Sequence, residues 1–371
     1  MMSHIAILGA GLVGRLLALL LAKSSEQNVA PKISLFEQHD ININHATGRV
    51  AAAMVAPLAE SVIASTNIVA MGQQSLLLWP QLLQHLQLTT QLQQSGTLVV
   101  AHRQDHNELQ HFVQRLKTSA SQYQKLTSAQ LQALEPELQG NFNHGLWLID
   151  EAHIDNHQLY DETANALRGS NIHIVEQCKA HLIDEQLFVN QQPVDCDWII
   201  DCRGMGAKDN LINPATPLRG VRGEVIRVYA PDVNLQRPIR LMHPRYALYI
   251  VPKANHQYVI GATEIESSDD KKPSVRSTLE LLSAAYSIHK GFAEAEIVDI
   301  QAALRPTFMD NEPHIVSHGN RIQINGLYRH GYLLAPYVLQ QTLMLLSQLG
   351  EPCSPFAVSV SPLNSTLVTQ L

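Results

Sequence analysis

Three glycines near the start of the chain have the spacing that cradles a diphosphate. Gly9, Gly11 and Gly14 follow the apolar run at 5–8 and lead into the apolar stretch at 15–22. A buried strand, a tight glycine turn and a helix N-terminus bring free backbone N–H groups and the positive end of the helix dipole to a pyrophosphate. Leu12 and Val13 lie within that turn and join the glycines as candidate cofactor contacts. A second apolar run at 33–36 ends in Glu37, about twenty residues past the last glycine, where a carboxylate accepts from a ribose 2′-hydroxyl. Gln38 follows it. The ligand these residues call for is a dinucleotide with a free 2′-hydroxyl, FAD or NAD rather than NADP.

Other reactive residue types form no comparable pattern. The chain has 18 histidines, but no H-E-x-x-H pair, and they read as solvated or core residues with no metal site. Cys178, Cys196, Cys202 and Cys353 have neither C-x-x-C nor zinc spacing, so they read as thiols of a reducing compartment.

The elements that must position this chemistry come from a chain of 371 residues, which favours two domains over one. Hydrophobic residues at 45% and charged residues at 16% are ordinary for a globular enzyme. A net charge of −7 argues against a nucleic-acid partner, and no uninterrupted apolar span long enough for stable membrane insertion occurs. Residues 16–22 resemble the core of a signal peptide. Cleavage there would remove the glycine turn, and no basic segment precedes it, so the expected location is cytoplasmic.

Periodicity predicts helices over 66–92, over 104–138 in two pieces ending at Glu135-Pro136, over 156–167, over 274–289 and up to Gly350. Apolar runs at 96–101, 145–149 and 172–175 predict strands, and a hairpin turns near Asn190. The run at 198–201 leads into Gly204 and Gly206, a second glycine turn expected beside the first. From 217 onward, runs at 223–229, 246–252, 258–262 and 297–304 predict a largely antiparallel sheet. The charged segment 264–272 reads as loop and the tail after Gly350 as loosely ordered. The expected class is α/β, a Rossmann-like nucleotide domain interleaved with an α+β domain on an antiparallel sheet. The expected boundaries are 1–90, 142–216 and 300–371 for the first, and 91–141 and 217–299 for the second.

Taken together, these stretches resemble the D-amino acid oxidase-like flavoproteins, and within them the glycine oxidase branch associated with thiamine biosynthesis. The motifs that carry the resemblance are the glycine turn with Glu37, the segment 51–57, Gly220-Val221-Arg222-Gly223-Glu224, Tyr249-Ile250-Val251-Pro252, Ile260-Gly261-Ala262-Thr263, Leu304-Arg305-Pro306 and the segment 328–336. The resemblance implies non-covalent FAD. His45 and Cys353 stand in no anchoring motif. It implies cofactor contacts from Arg49, Ala51, Ala52, Ala53 and Met54, and from Arg329, His330, Gly331, Tyr332, Leu333 and Leu334, with Gly204 and Gly206 beside the glycine turn. Arg305 is expected to pair with a substrate carboxylate, Tyr249 to hydrogen-bond it, and Arg329 to line the reactive ring.

The implied reaction is oxidative deamination of a small amino acid or amine such as glycine, sarcosine or a D-amino acid. Hydride goes to the flavin, and oxygen or a quinone is the final acceptor. A quinone-linked D-amino acid dehydrogenase shares nearly every one of these residues. A flavin-dependent tRNA-base-modifying enzyme shares the family fold, with the acidic balance against it, and Arg305 and Tyr249 argue against a non-catalytic flavin-holding partner. A homo-oligomer stays open. Two residues depart from the family pattern: Ala53 stands where relatives often have glycine, and Glu264 where the glycine oxidase pattern has an apolar residue. Glu264 is expected to begin the charged loop and to be solvated.

Overall fold

The computed structural model describes residues 3–24, 31–42, 46–116, 122–138, 140–183, 185–242, 248–357 and 362–371. His45 and the first two residues of the run at 246–252 lie outside them. The strand His4–Leu8 sits inside a seven-stranded sheet, flanked in parallel by Lys32–Phe36 and Trp198–Asp201. His173–Val175 extends it on one side and Arg321–Asn325 on the other, both in parallel. The antiparallel strand His314–His318 and the final strand Val368–Gln370 complete that edge.

Burial on both faces explains the unbroken apolar runs. Ile5 and Ile7 pack with Leu16, Leu17 and Leu20 of the helix Leu12–Ser24, in a core shared with the helices Thr66–Leu86, Asn156–Arg168 and Gly331–Gln348. Ala6, Leu8 and Phe36 face the other way, against a three-stranded flap built from Ala180–Ile183, Gln186–Val189 and Gln192–Val194.

The second, nine-stranded sheet centres on the long strand Arg219–Tyr229, which pairs with Gln257–Gly261, Ile265–Glu266 and Glu296–Thr307. Its pairs are antiparallel except where Ile239–Leu241 runs parallel to Thr97–Val100. The strand His144–Leu148, on the nucleotide side of the boundary expected at 142, pairs with Thr97–Val100 in this larger sheet. Glu296–Thr307 runs straight across the boundary expected at 300. Strand pairing, rather than any change in composition, decides where such segments sit.

Three local expectations change. Residues 104–138 hold the helices His106–Arg115 and Ser128–Leu134, with a strand, Tyr123–Thr127, between them. Only Leu126 of that strand is buried, so its apolar signal is too sparse to read, and pairing with His144–Leu148 fixes its conformation. The helix from Thr66 ends at Leu86, where Gln87 adopts a left-handed cap. The tail supplies Val368–Gln370 to the sheet and seats Leu367 in the core.

Candidate active site

Gly9 and Gly14 explain the turn between the first strand and its helix. Gly9 has φ +90°, and a Cβ on Gly14 would stand 1.9 Å from the Gly9 carbonyl oxygen, so only glycine lets helix and turn approach this closely. A buried arginine the motif does not name holds the turn. Arg15 donates Nε to the Ala10 carbonyl at 3.0 Å and Nη1 to Tyr160 O and Thr163 Oγ1, with its guanidinium 3.9 Å from the Tyr160 ring centre. The Glu37 carboxylate accepts from the Ala10 N–H at 2.7 Å, which places it beside the same turn.

A continuous cavity of about 1030 Å³ runs from this turn to the large sheet. One end is walled by Gly9, Gly11, Leu12, Val13, Glu37 and Gln38, with Cys178 to His181 from the flap and Gly204 and Gly206 from the second turn. The other end is walled by Ala51, Ala52, Ala53 and Met54, by Tyr249, Glu264 and Arg305, and by Arg329, His330, Gly331, Tyr332 and Leu333. Three expected contacts are elsewhere. Gly14 is spent on packing the turn, Arg49 points outward to Asp161 at 2.9 Å, and Leu334 lies in the hydrophobic core. Cys353 is buried away from the cavity, its thiol against the Leu343 carbonyl. The H-x-x-x-H spacing at 102/106, 153/157 and 314/318 gives no metal centre. Among the described residues, no group of three or more histidine, cysteine or carboxylate side chains could hold one.

At the large-sheet end the charges are sorted. Arg329 donates Nε and Nη2 to Glu60 Oε2 at 3.0 and 2.6 Å, and Nη1 to Glu264 Oε2 at 2.6 Å. His330 Nε2 shares the same Glu60 oxygen at 3.0 Å, and Tyr328 donates to Glu264 Oε1 at 2.7 Å. Burial works to raise the Glu60 pKa, but the Arg329 charge and the His330 hydrogen bond hold it well below the usual carboxylate range. Glu264 shows the same balance: burial pushes up, Arg329 and Tyr328 pull down, and the net direction is down. Glu264 is therefore bonded into the cavity wall while its side chain stays 38% exposed and its backbone lies outside any strand, so the expected solvated loop residue is also a member of the site. Its position one residue before the strand Ile265–Glu266 fixes it there.

Arg305 differs from Arg329. Its guanidinium is held by backbone carbonyls alone, Thr263 O at 3.1 Å and Arg222 O at 3.4 Å, and among the described residues no carboxylate lies within ion-pair distance. It lies over Gly223, where a Cβ would stand 2.2 Å from Nη2. Tyr249 completes the end wall. Its hydroxyl accepts from Arg240 Nη1 at 2.6 Å, leaving its own proton to donate toward the cavity. Burial is the main cause that pushes the phenol well above its usual range, so that proton stays in place.

The residues fit a flavin dinucleotide. Among the described residues no acceptor meets the backbone N–H of Ala52 or Ala53 on the cavity wall. Such donors need a partner from outside the chain. Gly11 has no neighbour closer than 3.9 Å to a would-be Cβ, so the space before it is open. Glu60, Arg15, Arg240 and Asn156 carry no motif signal. Their one sequence trace is a charged or polar residue in otherwise apolar surroundings, as Glu60 has in 57–64.

A dinucleotide cleft on a parallel sheet, ending against a second sheet that offers a free guanidinium, defines a two-sheet flavoprotein oxidoreductase. Residues 4–338 match the family described as FAD dependent oxidoreductase, and the chain belongs to that family. It is 35% identical over 303 residues to a Rhizobium etli protein described as a thiamine biosynthesis oxidoreductase, ThiO, covering 81% of this chain and 86% of that one. It is 24% identical to the glycine oxidase of Geobacillus kaustophilus, over 96% of each chain. The solved glycine oxidase from Bacillus cereus has the same fold, with a TM-score of 0.80 at 22% identity over 94% of this chain and 98% of that one. An iminodiacetate oxidase from Chelativorans shares the fold at a TM-score of 0.75 and 20% identity, covering 99% of each chain.

Proposed function

We propose that this FAD-dependent oxidoreductase oxidises the α C–N bond of a small amino acid bearing one carboxylate, such as glycine, sarcosine or a D-amino acid. The product is the imino acid, which water hydrolyses to the oxo acid and ammonia or an amine. The observation that carries this reading is the unpaired Arg305 guanidinium at the end of the cleft, beside the donor-ready Tyr249 hydroxyl. Arginine grips a carboxylate with two parallel hydrogen bonds and keeps its charge at every working pH.

Arg305 holds the carboxylate, Tyr249 donates to it, and the pair orients the Cα–H toward the segment 51–54. Arg329 is fully engaged by Glu60 and Glu264, so it shapes the wall and leaves the carboxylate to Arg305. Bound FAD supplies the hydride acceptor. The substrate reacts as the neutral amine, so a side-chain base is not required. The names of the relatives, glycine oxidase and ThiO, agree with this substrate class.

The test is anaerobic mixing of the holoprotein with glycine, sarcosine, D-alanine, D-proline and iminodiacetate while the flavin absorbance is followed. Monocarboxylates bleach the flavin, and iminodiacetate, whose second carboxylate meets no free guanidinium, does so poorly. Admitting oxygen, then a quinone analogue, identifies the acceptor. A flavin bleached by dithionite and by no amino acid sinks the reading.

A further inference from the structure

We propose that Lys253 is a positioning residue for the reaction end of the cofactor. Its ammonium, set behind the segment 51–53, turns backbone donors toward the cavity and adds a positive charge to that wall. The proposal rests on FAD occupying the cleft as described above.

The geometry begins with the carbonyls. Lys253 follows Pro252 at the end of the strand Leu248–Pro252, which also carries Tyr249, and is only 8% exposed. Its Nζ donates to Ala52 O at 2.9 Å and to Ile154 O at 2.5 Å. Asn156, fully buried, donates Nδ2 to Ala51 O at 2.9 Å and to Arg49 O at 2.5 Å, while Arg227 donates to its Oδ1 at 3.2 Å and so fixes the amide's orientation. The Ile154 N–H donates to Ala53 O at 3.0 Å. The carbonyls of 51, 52 and 53 are thus all drawn to the protein side.

In a trans peptide the N–H points opposite to the C=O of the same plane. Drawing these carbonyls inward therefore aims the N–H groups of Ala52 and Ala53 at the cavity, where no acceptor from the described chain meets them. Lys253 is the one charged group touching this segment's carbonyls among the described residues, and carbonyls are its only close partners there. The Asp155 carboxylate is occupied by the N–H groups of His157, Gln158 and Ala254.

The groups facing the ammonium are Asp155, Arg227 and His153. Burial lowers the Lys253 pKa, Asp155 opposes and Arg227 reinforces, and the ammonium is pushed down to about 7. Burial and then Lys253 itself push His153 down to about 3, so it stays neutral beside Lys253. A cation behind donors of this kind favours the electron-richer state of whatever lies in front of them.

The test uses Lys253→Met and Lys253→Gln holoproteins, measured for FAD dissociation and for two-electron midpoint potential by dye-linked reductive titration. Lys253→Met is expected to bind FAD at least tenfold more weakly. Lys253→Gln, which keeps an uncharged N–H donor on a side chain one atom shorter, recovers part of that binding. Both variants are expected to lose about tenfold in preference for reduced over oxidised FAD, a midpoint about 30 mV more negative. Native protein is expected to show a break near neutrality in the pH dependence of its potential, absent from both variants. Native midpoints in both variants overturn the proposal whatever happens to stability, because a purely structural lysine would not move the potential. If neither variant folds, native protein without a break near neutrality overturns it. Native protein that binds no FAD refutes the cofactor reading instead.

Discussion

Arg305 and Glu264 sit within one wall, yet substitution should separate them cleanly. Arg305→Lys keeps the charge but loses the two-point grip, and a charged hydrogen bond is worth about 1.5–3 kcal/mol. Steady-state kinetics should show KM raised about tenfold or more, with FAD still bound because Arg305 contacts only Thr263 O and Arg222 O within the protein. A wild-type KM would place the carboxylate clamp elsewhere. Glu264 acts through pH. Its pKa lies below the usual range, so it is ionised throughout the neutral and alkaline region. A nearby carboxylate favours the substrate's ammonium over the reactive amine and so raises the pH at which the amine forms. Glu264→Gln should therefore move the acid limb of kcat/KM to lower pH, by less than about one unit since Arg329 already offsets the charge. An unmoved limb would confine Glu264 to holding Arg329 and Tyr328.

The segment 51–54 gives the prediction at the scale of an element. Ala53 adopts φ 55°, the left-handed region that favours glycine, the residue the family resemblance leads one to expect there. That conformation costs an L-residue about 1–2 kcal/mol, and glycine gives back about 0.5–1 kcal/mol through its freer unfolded chain. Ala53→Gly should raise the stability of the FAD-free protein by about 0.5–1 kcal/mol in urea unfolding. A loss would mean that the buried methyl packs for more than the strain. The departure was visible in the sequence, but its cause was not, because φ is set by the carbonyl clamp from Asn156 and Lys253 more than 100 residues away. The same contrast runs through the fold. The glycine turn is local and could be read from a dozen residues. Glu60 meets Arg329 across most of the chain, and Arg240 meets Tyr249 only once the strands Ile239–Leu241 and Leu248–Pro252 have paired. The strand Tyr123–Thr127 and the tail strand Val368–Gln370 bury too little to show a period, and neighbours decide them.

Across the whole molecule the two sheets exchange chain repeatedly, since the nine-stranded sheet draws all its strands from between 97 and 307 and the seven-stranded sheet from both sides of that span and from within it. Neither sheet closes without the other's connections, so unfolding should be a single event. The tryptophans report on this separately. Trp79 donates to Tyr332 O in the helical layer, Trp198 to Glu351 in the seven-stranded sheet, and Trp147 belongs to the nine-stranded sheet. Single-tryptophan variants should give coincident urea transitions, all shifted upward together by added FAD. Separate midpoints would show that the two sheets melt independently. The overall class and order of elements were legible because apolar runs and glycine turns are written locally. The sheet assignment of His144–Leu148 was not, because it depends on partners that composition does not announce.

The position of the strand His4–Leu8 also bears on how the protein is made. Its neighbour Lys32–Phe36 leaves the ribosome soon after it, but its other neighbour, Trp198–Asp201, emerges much later. Arg321–Asn325 and the tail strand come later still. During that interval the nascent chain carries an apolar strand with one bare edge, the kind of surface that chaperones shield and that aggregates when they do not. The glycine turn is translated well before the second turn at Gly204 that faces it, and Arg305 and Arg329 follow later still, so the cofactor meets a finished cleft only after all of them have emerged. Flavin supply during expression then acts as a late folding ligand, and a shortage of it leaves chains that already carry both turns, rather than early fragments, exposed to proteolysis.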